Sequence, residues 1–194
     1  MSIFELYLKL GIDHIADFQG YDHILFIISL TIVYPLRAWK KLLILVTAFT
    51  IGHSLTLLLA TLDLISIPTD LIEFLIPVTI IITALGNTFQ KHNKFYTSSH
   101  RFKYAAALFF GLIHGMGFSN YLRGLLSGEE SLFLPLLSFN LGIELGQIII
   151  VLVILGLTLL FVDIIGVKRR EWNLVFSGGA MGISLVLALE RIPW

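Results

Sequence analysis

Residues 132–162, LFLPLLSFNLGIELGQIIIVLVILGLTLLFV, contain a single ionisable side chain, Glu144. A bilayer's hydrocarbon core of roughly 30 Å is crossed by about 20 predominantly apolar residues. The run therefore reads as a membrane helix with length to spare for tilt or projection. Outward from it, comparable runs lie at about 21–36, 42–62, 71–89, 104–125 and 172–190. Short connections join them. The expected fold is all-α: a polytopic membrane helix bundle of about six transmembrane helices, forming a single integral membrane domain over residues 1–194.

Composition agrees. The chain is 57% hydrophobic and 13% charged, against roughly 25% charged for an average soluble domain. Thirteen Lys and Arg balance thirteen Asp and Glu, so no polycationic face speaks for nucleic-acid binding. With no cysteine, disulfides, thiolate zinc sites and cysteine nucleophiles are excluded. The first twenty residues lack a basic region followed by an uninterrupted apolar run, and no cleaved signal peptide is expected.

Orientation is read from the bases, which are retained at the cytoplasmic ends of membrane helices. Arg37, Lys40 and Lys41 lie between the first two spans, Lys91, Lys94, Arg101 and Lys103 between the third and fourth, and Lys168, Arg169 and Arg170 between the last two. Both termini are therefore expected outside a bacterial-type inner membrane. The opposite side holds Glu5, Asp13, Asp17, Asp63, Asp70, Glu129 and Glu130, an acidic face that favours cations. Trp194 reads as an interfacial anchor, and His92 and His100 as members of a solvated basic loop.

Polar side chains inside a membrane are costly and usually face a cavity, a partner or a pathway. At a rise of about 1.5 Å per residue, His23, His53, His114 and Glu144 all fall between the outer boundary and the midplane. This predicts one outward-opening cavity. Asn140, Glu144 and Gln147 recur at i, i+4 and i+7 and share a helix face. Thr50, His53 and Ser54 sit close together on span two. Two G-x-x-x-G patterns, Gly111 with Gly115 and Gly142 with Gly146, permit close helix contact. His14 and His23 are nine residues apart, about 180° on a continuous helix. For both to join one site the chain must break near Phe18 to Gly20, leaving residues 3–17 as a short interfacial or re-entrant helix.

Neutral imidazoles with a carboxylate and an amide oxygen suit Ni²⁺, Co²⁺ or Zn²⁺. The candidate metal ligands are His14, Asp22, His23, His53, His114 and Glu144. Asp22 either binds the ion or fixes a histidine tautomer, and Glu144 either neutralises the ion or acts as a base. Ser54, Glu73, Asn140 and Gln147 are candidates for touching the substrate or the ligands. Three of them have a plainer role: Glu73 as a solvated helix-start acid, Ser54 as a backbone-bonded hydroxyl, Gln147 as interhelical glue. Copper(I) is disfavoured, since only Met116 lies near and no cysteine exists.

Four segments, Gly20-x-Asp22-His23-x-Leu25-Phe26, Phe49-Thr50-x-x-His53-Ser54-x-Thr56-Leu57, His114-Gly115-x-Gly117-Phe118 and Phe139-Asn140-x-Gly142-x-Glu144-x-Gly146-Gln147, together resemble the HupE/UreJ family. These are small membrane proteins associated with nickel and cobalt handling around hydrogenase and urease. The resemblance covers nearly the whole chain and is greatest to the branch in which a histidine, here His14, precedes the first motif. It implies a metal permease, with a periplasmic metal-delivery or metalloenzyme-maturation protein as a partner beside the lipid bilayer and the ion. The ion would be taken from the outer face by His23, His53 and His114, with Asp22 and Glu144 supplying charge. Beyond Thr83 and Asn87 the inner half offers few polar groups, which motivates an alternative: a membrane-embedded zinc-dependent hydrolase or acyl-transfer enzyme acting on a lipid or lipid-linked substrate. Asp22 or Glu144 would then accept the catalytic proton. A chaperone-like assembly factor would bind no metal.

Overall fold

The computed structural model describes residues 2–18, 20–89, 100–126, 128–129 and 131–193. The expected loop residues Lys91, His92 and Lys94, with Glu130 and the anchor Trp194, lie outside them. Among the described residues all regular structure is helical: α1 (Ile3–Ile15), α2 (Asp22–Thr31), a 3-10 turn (Leu36–Ala38), α3 (Trp39–Thr61), α4 (Thr69–Thr88), α5 (Arg101–Gly117), α6 (Ser119–Leu126), α7 (Phe133–Thr158), a π-helical turn (Leu159–Ile164) and α8 (Arg169–Glu190). The all-α bundle is as expected.

The count of spans differs. Four helical segments, Leu36–Thr61, Thr69–Thr88, Phe133–Ile164 and Arg169–Glu190, are long and apolar enough to cross a membrane. A fifth is the pair α5 and α6, bent by 54° at Phe118, so the expected span 104–125 is not straight. At this elbow the Ser119 hydroxyl donates to the Met116 carbonyl at 2.7 Å, offering the backbone a local alternative to the helical ladder. The expected first span, 21–36, is also corrected. Its helix has ten residues and rises roughly 15 Å, because Pro35 has no N–H to give and restricts Tyr34 before it.

The short helix has a companion. α1 starts on a capping box in which the Glu5 N–H donates to Ser2 Oγ (3.2 Å) and the Ser2 N–H donates to Glu5 Oε2 (2.8 Å). It buries Tyr7, Gly11 and Ile15 and packs on α7 through Gly11, Gly142 and Gly146. A methyl group on Gly11 would collide with the Phe139 carbonyl oxygen, and one on Gly142 with that of Leu8. Further along, Ile24, Ile28 and Ile32 of α2 line one cavity of about 340 Å³ with Ile149, Val153 and Leu157 of α7. The two short helices thus follow α7 in succession, the first ending at Ile15 and the second starting at Asp22. α1 is built into the bundle and does not lie apart from it.

The second close pair is α3 with α5. A methyl on Gly52 would strike the Leu108 carbonyl oxygen, one on Gly111 that of Phe49, and one on Gly115 that of His53. Small residues let helix backbones approach where lipid provides no hydrophobic drive. Both G-x-x-x-G patterns therefore act as expected, and Gly11 and Gly52 are the counterparts the spacing alone did not identify. α8 closes the bundle against α4 through the Asn173 side chain, which donates to the Asn87 carbonyl oxygen at 2.9 Å. Its Trp172 donates to Thr158 Oγ1 at 3.2 Å.

Candidate metal centre

The break between α1 and α2 sets the site. His14 lies in the last turn of α1 and His23 is the second residue of α2, so both flank the same interruption. Their ring centroids are 4.7 Å apart. The α3–α5 crossing at Gly115 brings His53 alongside, 5.7 Å from both His14 and His23. One ligand nitrogen from each of His14, His23 and His53 can be chosen so that all lie within 4.8 Å of one another. His114, on α5, has its ring 5.2 Å from that of His23.

Burial without partners marks these imidazoles as unusual. His53 is 0% exposed and His114 1%. Among the described residues, His14 Nε2, His23 Nε2, both ring nitrogens of His53, and His114 Nδ1 are buried with no hydrogen-bond partner. Buried polar groups are nearly always paired, so several unpaired nitrogens on neighbouring rings need an explanation. Three nitrogens bound to one ion at about 2.0–2.1 Å lie roughly 3.3 Å apart, and a modest contraction of the triad would reach that spacing. The donor set fits a borderline divalent cation.

Thr79 on α4 was not singled out by the sequence reading, yet it orients one donor. Its hydroxyl donates to the Ile76 carbonyl oxygen at 2.7 Å and lies 2.9 Å from His114 Nε2. With its only proton used, Thr79 accepts from His114 Nε2–H. That bond assigns the neutral tautomer whose Nδ1 lone pair is available for a cation.

The carboxylates are placed differently. Asp22 begins α2, next to His23, with its side chain 14% exposed. Oδ2 accepts from Arg191, just beyond α8, at 3.1 Å, while Oδ1 is buried and unpartnered among the described residues. Asn140, Glu144 and Gln147 share a face as expected, but that face meets α3: the Thr47 hydroxyl donates to Glu144 Oε1 at 2.6 Å and the Thr50 hydroxyl to Gln147 Oε1 at 2.9 Å. Neither Asp22 nor Glu144 joins the three-histidine group. Ser54 and Asn140 line a cavity of about 650 Å³ between α3 and α7, whose other walls are mostly leucine and phenylalanine. Glu73, the fifth residue of α4, is exposed. His100 is half-buried and held by Lys41 Nζ at 2.8 Å and the Tyr34 hydroxyl at 3.4 Å, so it is not the solvated loop residue expected.

Aromatic rings pack around the histidines among the described residues. On one side Phe118 sits 3.9 Å from His14, centroid to centroid, and stacks on Phe139. On the other, Phe26 and Phe49 lie 5.0 and 5.2 Å from His114, with Phe110 beyond Phe26. Compared with known proteins, the chain matches the family model described as HupE / UreJ protein over residues 1–190. No curated protein and no solved structure matches it.

Proposed function

The chain belongs to the HupE/UreJ family, and from that membership together with the histidine group we propose a permease for a divalent transition metal, Ni²⁺ or Co²⁺, with Zn²⁺ as a competitor of similar chemistry. One observation carries the reading: a ligand nitrogen from each of His14, His23 and His53, on α1, α2 and α3, lies within 4.8 Å of the others, and each of the three rings has a buried nitrogen without a partner among the described residues. The ion is the cargo. His14, His23 and His53 would receive it, His114 Nδ1 would complete the nitrogen set, and Asp22 Oδ1 would offset its charge. Glu144, paired with Thr47 on the neighbouring helix face, would serve as a separate carboxylate station. Ser54, Asn140 and Gln147 would line that α3–α7 face. The reading puts the protein in an inner membrane with both termini outside. A periplasmic delivery or maturation protein would be the partner that supplies the ion.

Nickel titration of the purified protein tests the site. His53→Ala and His114→Ala are each expected to weaken binding at least tenfold. Unchanged affinity in both would end the proposal. Transport itself is read from nickel uptake into proteoliposomes, which Glu144→Gln is expected to slow severalfold without abolishing binding at the histidines.

The Phe26 and Phe49 rings next to His114 favour a second reading, a membrane-embedded zinc-dependent hydrolase, because a site closed on one side suffices for an enzyme. A resident zinc ion would supply Lewis acidity there, with Asp22 or Glu144 as proton acceptor. Stoichiometric zinc that survives washing, together with no uptake, would select it.

A further inference from the structure

We propose that Arg191 is a tethered competitor for the cation: its guanidinium occupies the Asp22 carboxylate when the histidine site is empty and yields it when an ion arrives. The inference rests on the permease reading and adds a control element to the same site. Arg191 follows the last residue of α8 and is the residue immediately beyond the stretch matched by the family model. Its Nη1 donates to Asp22 Oδ2 at 3.1 Å, with the two side chains 29% and 14% exposed. This pair joins segments 169 residues apart in sequence at the point where α2 begins.

Three features argue for competition over simple anchoring. The arginine uses one carboxylate oxygen and leaves the other, Oδ1, buried without a partner among the described residues. Asp22 is bonded in sequence to His23, whose Nε2 is likewise buried and unpartnered. The guanidinium and a divalent ion would also draw on the same negative charge, so each would weaken the other's hold on Asp22. A guanidinium on a flexible stem beyond a helix end can move away with little rearrangement of the helices, while retaining its charge at any pH of interest. Such a group would keep the carboxylate neutralised in the empty state and raise the ion concentration needed for occupancy.

The test is nickel titration of the full-length protein purified in detergent, by calorimetry, with parent, Arg191→Gln, Asp22→Asn and the double variant. Loss of a partly exposed ion pair predicts nickel binding roughly fivefold tighter in Arg191→Gln. Asp22→Asn should bind more weakly than the parent, and adding Arg191→Gln to it should change nothing further. Arg191→Lys, which keeps the charge but loses the planar fork, should fall between parent and Arg191→Gln and serves if the glutamine variant does not fold. Arg191→Gln binding nickel no better than the parent would overturn the inference, as would a lysine variant identical to the parent. An equal gain in the Asp22→Asn background would also overturn it, since the arginine would then act as a general field. A parent protein that binds no nickel at all would instead refute the permease reading.

Discussion

His114 shows how much a single neighbour can decide. Its Nε2 is committed to Thr79, which is itself committed to the Ile76 carbonyl, so the remaining nitrogen is presented in one protonation form. Thr79→Val removes that constraint while preserving volume. Nickel affinity is expected to fall by roughly 10- to 100-fold with little change in thermal stability, and calorimetry beside a melting curve separates the two. The histidines stood out in the sequence because His23, His53 and His114 fall in apolar runs, and His14 with His23 required a chain break that the structure contains. Thr79 was not legible. A threonine hydroxyl bonded to its own helix is ordinary in an apolar helix, and only the approach of α5 gives it another task. The sequence located Asn140, Glu144 and Gln147 on one face, but not the direction of that face, since helix rotation is set by contacts with Thr47 and Thr50 that periodicity does not contain.

Between elements, glycine sets the distances. The α3–α5 crossing that places His53 near His114 exists because Gly52, Gly111 and Gly115 have no side chains. Gly52→Val should push α5 away at the Leu108 carbonyl, destabilising the protein by more than about 1–3 kcal/mol and weakening metal binding in parallel. Gly178→Ala, on α8 with open space around the position, should be neutral or stabilising by up to about 1 kcal/mol. Thermal denaturation in detergent compares them directly. The spacing of glycines revealed two of the close faces in advance. Span lengths were less legible: apolar residues continue through Ile32, Val33 and Tyr34, where proline geometry ends the helix, and the polar residues Ser119, Asn120 and Arg123 after Phe118 do not by themselves reveal a bend.

At the scale of the molecule, charged groups form separate local clusters. Lys41, His100, Lys103 and Tyr34 gather where α3 and α5 begin, whereas Arg123 pairs with Asp63 and Arg191 with Asp22 at other sites. The proposed orientation can be tested cleanly because the chain has no cysteine. Ser2→Cys should react with a membrane-impermeant thiol reagent in intact cells, and Ala38→Cys only after the membrane is opened; the reverse pattern would invert the topology. The aromatic packing has a further kinetic meaning. Under the permease reading, an ion held at His14 and His114 would have Phe118 and Phe139 on one flank and Phe26 and Phe49 on the other. Each passage would then wait for ring reorientation, in the way that closure steps pace many enzymes. Turnover should consequently be slow, rise steeply on warming, and produce no resolvable single-channel current.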